Sequence, residues 1–140
     1  MTQEEKELLI KDLCARLPYG VKINENTQGD FTVIGLTMER VFTTCETEGC
    51  HNDFPIDCIK PYLFPLSSMT DKDLVEFLQI KGMNLNTDEL KTFRRRETAI
   101  VSTLPSYSRH IDWLNKKHFD YRGLIEKGLA IDATGLNIYC

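Results

Sequence analysis

The stretch "VKINENTQGDFTVIGLTMERVFTT", from Val21 to Thr44, decides the fold. Its residues alternate between apolar and polar and are rich in β-branched and aromatic types, which is typical of half-buried strands. The segment "NENTQGD" predicts a turn, and Gly35 in the middle of an apolar run predicts a bulge or a sharp bend. The stretch therefore predicts several short, strongly bent strands joined by turns.

The strand pattern continues into "FPIDCIKPYLFPL" (Phe54–Leu66), where three prolines occur within thirteen residues. Proline removes a backbone donor and fixes φ, so this density excludes a regular helix or a central strand. We predict a short strand at Phe54–Ile56, a helical turn at Ile56–Lys60 and an extended exit. Residues 19–66 as a whole are predicted to form a small, half-open β-barrel of the SH3-like kind.

Helical patterns flank this β unit. "TQEEKELLIKDLCARL" starts with Thr2 and Glu5 at the spacing of a capping box, and Leu9, Leu13 and Leu17 form an apolar stripe. After the β unit, "SSMTDKDLVEFLQIKG" and "SYSRHIDWLNKKHF" predict two more helices, whereas residues 83–106 suit either a helix or a strand. We predict one α+β domain with an N-terminal helix (1–18), the β unit (19–66) and a mainly helical part (67–140).

The segment "HFDYRGLIEKG" (His118–Gly128) sets a His, an Asp, a Tyr and an Arg within five residues. Asp120 is predicted to cap a last short helix, Tyr121–Lys127, by accepting from amides near Gly123. Gly128 is predicted to end that helix in a left-handed conformation. Adjacent residues cannot form a hydrolytic triad because their side chains diverge. We therefore predict that these polar residues shape the backbone and perform no chemistry.

Bulk composition fits a single globular domain: 140 residues, 41% of them hydrophobic, with a net charge of −4. No run approaches the ~18 apolar residues of a membrane span, and the first residues do not resemble a secretory signal. The prediction is a cytoplasmic protein whose five cysteines are free thiols. No P-loop, GxGxxG, HExxH or GxSxG motif occurs, so we predict a protein that is not an enzyme and uses no cofactor.

Charge is distributed unevenly. Residues 1–90 carry 8 basic and 16 acidic side chains, whereas residues 91–127 carry 9 basic and 4 acidic ones. The densest basic run is Arg94, Arg95 and Arg96. One interpretation is a contact surface for a protein, or a solvated face that pairs with the acidic front; the alternative is a nucleic-acid contact through the basic segment 91–127. A pI near 5.4 argues against a dedicated DNA-binding protein.

Three cysteines and a histidine are the weak candidates for a metal site: Cys45, Cys50, His51 and Cys58. Structural zinc sites usually contain closely spaced ligand pairs that form a knuckle. Here the first spacing is at the edge of that range, a second pair is missing, and the adjacent Cys50 and His51 are poorly placed to ligate together. We therefore predict no metal.

Two segments carry a resemblance to a known family: "IKPYLFPLSSMT" (Ile59–Thr70) and "DWLNKKHFDYRGLIEKGLAID" (Asp112–Asp132). With "LPYGVK" (Leu17–Lys22), they resemble small uncharacterised proteins of gut bacteria, their prophages and mobile elements. In that pattern an Arg is common where this chain has Phe64. The resemblance implies a cytoplasmic accessory protein of a phage or mobile element, and it transfers no catalytic residue.

The predicted function is accordingly the binding of a protein partner, without a membrane association. The candidate contact residues are Phe64, where an apolar side chain predicts an exposed patch, and the basic run Arg94, Arg95 and Arg96.

Overall fold

The computed structural model describes residues 1–45, 51–80 and 108–139, and it confirms an α+β architecture. Three α-helices are described: α1 (Gln3–Arg16), α2 (Asp71–Ile80) and α3 (Ser108–Lys116). The seven strands are β1 (Lys22–Glu25), β2 (Gly29–Leu36), β3 (Arg40–Thr44), β4 (His51–Pro55), β5 (Ile59–Pro65), β6 (Phe119–Asp120) and β7 (Ile131–Asp132).

Helix α1 forms as its sequence predicts. The Thr2 hydroxyl accepts from the Glu5 amide at 3.2 Å, and the Glu5 carboxylate accepts from the Thr2 amide at 2.8 Å, which is the reciprocal capping box. Leu9 and Leu13 are fully buried on the face that packs on the sheet. A 3₁₀ turn (Leu17–Tyr19) and a left-handed Gly20 then redirect the chain into β1.

The strands form one mixed sheet in the order β4-β3-β2-β1-β5-β6, and β7 also pairs with β5. β1 to β5 pair in an antiparallel manner, whereas β6 and β7 run parallel to β5. The predicted irregularity at Gly35 is confirmed, because the register of β2 and β3 shifts between Val33 and Gly35. The helical turn predicted at Ile56–Lys60 is confirmed as the shorter 3₁₀ turn Ile56–Cys58. The exclusion of a central strand is wrong, because β5 contains Pro61 and pairs with β1, β6 and β7.

Two apolar clusters hold the elements together. In the first, α1 packs on the inner face of the sheet, with Leu13, Ile23, Val41 and Ile59 among its buried residues. In the second, α2 and α3 pack on each other and on β6 through buried residues that include Met69, Leu74, Phe77, Leu114 and Phe119. The end of β5 reaches the second cluster through Phe64, so both clusters meet near that residue.

The predicted helix Tyr121–Lys127 is wrong. Residues 124–128 form a turn, followed by the short strand β7. Asp120 nevertheless organises the backbone: its carboxylate accepts from the amides of Leu124 at 3.0 Å and Ile125 at 2.9 Å. Gly128 adopts the expected left-handed conformation, with φ of 73°. The capping chemistry was therefore placed correctly, but it closes a turn and not the first turn of a helix.

Candidate functional site

A half-open cavity of about 420 Å³ lies where β5, the start of α2, the end of α3 and the C-terminal tail meet. Phe64 lies one residue before the end of β5, and Thr70 directly precedes α2. Lys116 ends α3, and Thr134 belongs to the tail. Each side of the cavity thus comes from a different part of the chain. A volume in this range is typical of small-molecule sites and of pockets that receive an anchoring side chain.

Aromatic rings form one wall of the cavity. The Phe64 ring centroid lies 6.2 Å from that of Phe119 and 6.0 Å from that of Tyr139, which are favourable tilted arrangements. Phe119 also stacks on Trp113, with centroids 5.7 Å apart and planes inclined by 16°. Phe64 is therefore half-buried within an aromatic group, in place of the exposed patch expected from the sequence.

Polar groups form the opposite rim. Lys116 and Lys117 are exposed at the end of α3, and the Lys117 ammonium lies 3.6 Å from the Glu76 carboxylate. Thr70 and Asp73 exchange backbone and side-chain hydrogen bonds at 3.1 Å each and so cap α2. Because the Thr70 oxygen accepts in this exchange, its O–H remains able to donate.

His118 lines the base of the cavity and is only 6% exposed. Its ring stacks on Tyr139, with centroids 3.7 Å apart and planes inclined by 12°. Within the described residues, its Nδ1 has no hydrogen-bond partner. Burial lowers the pKa of His118 to about 4; the positive charge of Arg16 adds to this effect and the negative charge of Asp12 opposes it. The imidazole is therefore neutral near pH 7.

Tyr139 fixes the C-terminal tail beside the cavity. Its hydroxyl donates to the Tyr62 carbonyl at 2.7 Å and accepts from the Lys22 amide at 2.9 Å. The same burial raises the pKa of the Tyr139 phenol, so the hydroxyl stays protonated and able to donate. This anchor joins the tail to β1 and β5 and holds the ring against His118.

A buried ionic network lies behind His118. Asp12 and Arg16 are fully buried and joined by bonds of 2.8 and 3.1 Å. Arg122, with 16% of its side chain exposed, donates to the same carboxylate at 2.9 Å. Arg16 also donates to the Phe119 carbonyl at 2.6 Å. Two guanidinium groups thus share one carboxylate, and the network joins α1 to the segment after α3.

The remaining polar residues of "HFDYRGLIEKG" join the same network. Tyr121 donates to the Asn115 side chain at 2.9 Å and accepts from Arg122 at 2.7 Å, and the guanidinium of Arg122 lies over its ring. Asp120 is used by backbone amides, and no bond between His118 and Asp120 occurs in the described residues. The segment therefore builds structure, except that His118 also faces the cavity.

The predicted metal candidates are spread over different surroundings. Cys45 is disulfide-bonded, so it is not a thiolate ligand, and the expectation that all cysteines are free thiols is wrong for it. His51 is exposed on the edge strand β4, and Cys58 is an exposed free thiol in a 3₁₀ turn. Cys50 lies outside the described residues, as do Arg94, Arg95 and Arg96.

A second feature, which the sequence analysis missed, is an apolar surface on the β2–β3 hairpin. Ile34, Met38 and Phe42 are 52%, 62% and 41% exposed, and we call these three residues the hairpin surface. Their neighbours Val33 and Val41 point into the core. The alternation of "FTVIGLTMERVF" contained the signal: Ile34 and Phe42 are apolar residues at positions where the pattern calls for polar ones.

No protein-family model, curated protein or solved structure matches the chain. Among the described residues, none of the helices has the length and apolar character that crossing a membrane requires. The two features that bear on function are therefore the cavity beside His118 and the hairpin surface.

Proposed function

We propose that this chain is a non-enzymatic accessory protein that binds a protein partner through the hairpin surface. The observation that carries the proposal is the exposure of Ile34, Met38 and Phe42 on one hairpin. Large apolar side chains grouped on a surface are stabilised when a partner removes them from water. A partner with an apolar contact face is therefore the occupant that this surface suits.

The surroundings of the hairpin surface support a specific contact. Phe42 pairs across the strands with Gly35 on one side and Asp53 on the other, and Asp53 forms an ion pair with Arg40. An apolar centre with a charged rim is the usual arrangement of protein interfaces. Val33 and Val41, the chain neighbours of Ile34 and Phe42, are buried in the core and anchor the hairpin, so a low ordering cost is expected on binding.

The same proposal treats residues 19–66 as an SH3-like, half-open β unit. The order β4-β3-β2-β1-β5, the bulge at Gly35 and the 3₁₀ turn before β5 support this assignment. We also propose that a phage or mobile element encodes the chain and that the chain acts in the cytoplasm of the host, although the disulfide of Cys45 is a bond that is rare in a reducing cytosol. Support for this comes from the segments Ile59–Thr70 and Asp112–Asp132, which resemble that family.

The described part of the basic segment gives the nucleic-acid alternative less support. Arg122 is engaged with the buried carboxylate of Asp12, and Lys117 lies beside Glu76. Both cations are therefore partly neutralised within the protein. Nucleic-acid binding is retained as an outcome of the experiment below.

The test is photo-crosslinking in cells with a benzophenone amino acid in place of Met38, the most exposed residue of the hairpin surface. We expect a discrete protein adduct that survives nuclease treatment. The variant Ile34→Glu/Phe42→Glu is expected to abolish it, because two carboxylates would have to be desolvated at the contact. The matched control is Val75→Glu/Leu136→Glu, which places the same charges at exposed apolar positions outside the hairpin, and it is expected to keep the adduct.

Three outcomes would overturn the proposal: no adduct from position 38, an adduct that disappears with nuclease, or an adduct that Ile34→Glu/Phe42→Glu leaves unchanged. The second of these would favour the nucleic-acid alternative. Thermal unfolding of each variant separates loss of contact from loss of fold.

A further inference from the structure

We propose that the cavity beside His118 is a binding site for a small organic anion, namely a phosphate monoester attached to an aromatic ring. This site is distinct from the hairpin surface, and its occupant is a small molecule. Three observations carry the inference: an aromatic wall, a rim that contains two lysines and two hydroxyls, and a buried group of two arginines and one aspartate behind His118.

The aromatic wall sets the shape of the ligand body. Phe64 and Tyr139 line the cavity on the side of β5 and the tail, and Phe119 lines it from β6. Tilted and stacked rings already surround this wall, so a flat ring in the ligand would meet faces and edges at ordinary aromatic distances. The wall therefore favours a planar, apolar body over a flexible polar one.

The rim supplies donors for an anion. Lys116 and Lys117 each present an ammonium group, and that of Lys117 is shared with the partly exposed Glu76 carboxylate 3.6 Å away. Thr70 has an O–H whose oxygen already accepts elsewhere. Thr134 adds a second hydroxyl at the cavity, although both its backbone amide and its side chain already hydrogen-bond to Asp132. Charge-assisted bonds to phosphate oxygens are the strongest contacts such groups make.

One carboxylate, that of Asp73, also lines the cavity, and it opposes an anion. It is, however, committed to capping α2 through the Thr70 amide. The donors outnumber it, and they lie on both the α3 and the tail side. The rim as a whole therefore favours negative charge.

The base of the cavity adds positive potential from below. Arg16 and Arg122 share the single carboxylate of Asp12, so the buried network carries an excess positive charge. Within the described residues, Arg16 Nη1 and His118 Nδ1 are buried polar atoms without a partner. Because both atoms are shielded from solvent, an anion in the cavity is expected to act on them through its charge and not through a direct hydrogen bond.

The chain contains its own reporter for this site. Trp113 is its single tryptophan, and it stacks on Phe119, which lines the cavity. Titration of the purified full chain with phenyl phosphate is expected to change Trp113 fluorescence saturably. Inorganic phosphate and benzyl alcohol, which each present half of the ligand, are expected to bind at least about tenfold more weakly.

Charge variants locate the site. Lys116→Met/Lys117→Met is expected to weaken phenyl phosphate binding about tenfold, as two charge-assisted contacts are lost. The matched control Lys11→Met/Lys60→Met removes two exposed positive charges elsewhere and is expected to bind within about twofold of the parent, because distant charges are screened. All four positions are exposed, so these variants are expected to fold.

The pH dependence of binding gives an independent test of the role of His118. The charged groups around it are Arg16 and Asp12 from α1 and the rim lysines and Asp73, with the neutral phenol of Tyr139 stacked on its ring. Phenyl sulfate, whose charge is constant from pH 7 to 5, is expected to bind about tenfold more tightly at pH 5 if the bound anion restores the pKa of His118 to about 6. His118→Asn is expected to remove this dependence, and Asn tolerates the φ of 61° at this position.

The proposal is overturned if phenyl phosphate gives no saturable change in Trp113 fluorescence, or if benzyl alcohol binds equally well. Equal losses of affinity in the Lys116→Met/Lys117→Met variant and its matched control would also overturn it. An affinity for phenyl sulfate that is the same at pH 7 and 5 would remove His118 from the site.

Discussion

Replacing Asp12 with Asn tests the buried ionic network, in which the side chains of Asp12 and Arg16 are fully buried. The carboxylate is 0% exposed and accepts three hydrogen bonds, from Arg16 at 2.8 and 3.1 Å and from Arg122 at 2.9 Å. The amide of Asn keeps the volume but loses the charge, which leaves the guanidinium of Arg16 buried and uncompensated. We expect a loss of about 3–5 kcal/mol in the free energy of unfolding.

The expected loss of stability is large because Asp12 and Arg16 are buried, and not only because they attract each other. Arg40 and Asp53 form an ion pair of the same chemistry at positions that are 45% and 47% exposed. Water solvates each partner there when the other is removed, so Arg40→Met is expected to cost less than about 1 kcal/mol. The contrast between these two variants isolates the contribution of burial.

A double-mutant cycle checks the cause. Arg16→Met removes the buried cation, and it also leaves the Phe119 carbonyl without the donor that reaches it at 2.6 Å. In Asp12→Asn/Arg16→Met no unpaired buried charge remains, since Arg122 is partly exposed and can reach water. We expect the double variant to cost about 2 kcal/mol less than the sum of the single variants.

Urea denaturation followed by circular dichroism measures the parent protein and all four variants. With a slope of about 2 kcal/mol/M, Asp12→Asn is expected to lower the midpoint by roughly 2 M. The reasoning is refuted if Asp12→Asn costs less than about 1 kcal/mol, or if the costs of the single variants simply add. Either result would mean that Asp12 and Arg16 are not paired within the folded core.

Three further predictions concern single residues. Asp120→Ala leaves two backbone amides without an acceptor and is expected to lower stability by about 2–4 kcal/mol in urea denaturation; a loss below about 1 kcal/mol would contradict the turn-closing role. The pKa of His118 is lowered from 6.5 to about 4, so the unfolded chain binds the extra proton and stability falls as the pH drops from 6.5 to 4, by roughly 3 kcal/mol in all. His118→Asn is expected to flatten that pH dependence, and an unchanged slope would show that another group causes it. Thr2→Ala breaks the capping box and is expected to cost about 1 kcal/mol, whereas Thr2→Ser is expected to be nearly neutral; equal losses would exclude the cap.

Local signals predicted local structure well. The capping box of Thr2 and Glu5, the bulge at Gly35 and the helical turn that starts at Ile56 each depend on residues close together in the chain. The first two are confirmed, and the turn is confirmed with its end at Cys58 and not at Lys60. The prediction of a helix at Tyr121–Lys127 was wrong because it also depended only on residues close together in the chain. An acidic cap and a terminal glycine also fit a closed turn, and only packing against α1 and β5 decides between the two.

The candidate sites were harder to predict because they depend on contacts between distant residues. Asp12 and Arg122 are 110 positions apart, so the sequence around either residue does not predict their pairing. The cavity is assembled from β5, α2, α3 and the tail. Among the residues that line it, only Phe64 was a predicted contact residue. The hairpin surface is different, since the apolar residues at outward positions of β2 and β3 were visible in the alternation itself.

The polar residues of "HFDYRGLIEKG" do not all have the same role. Asp120 accepts hydrogen bonds from backbone amides, and Tyr121 and Arg122 are hydrogen-bonded within the buried network. These three residues therefore have a structural role. His118 differs, because it is buried beside that network yet lines a cavity, and its Nδ1 has no partner among the described groups. If His118 had only a structural role, a hydrogen bond to its Nδ1 would stabilise the fold further. Its position between a charged core and an open cavity is the physical reason to test for a ligand.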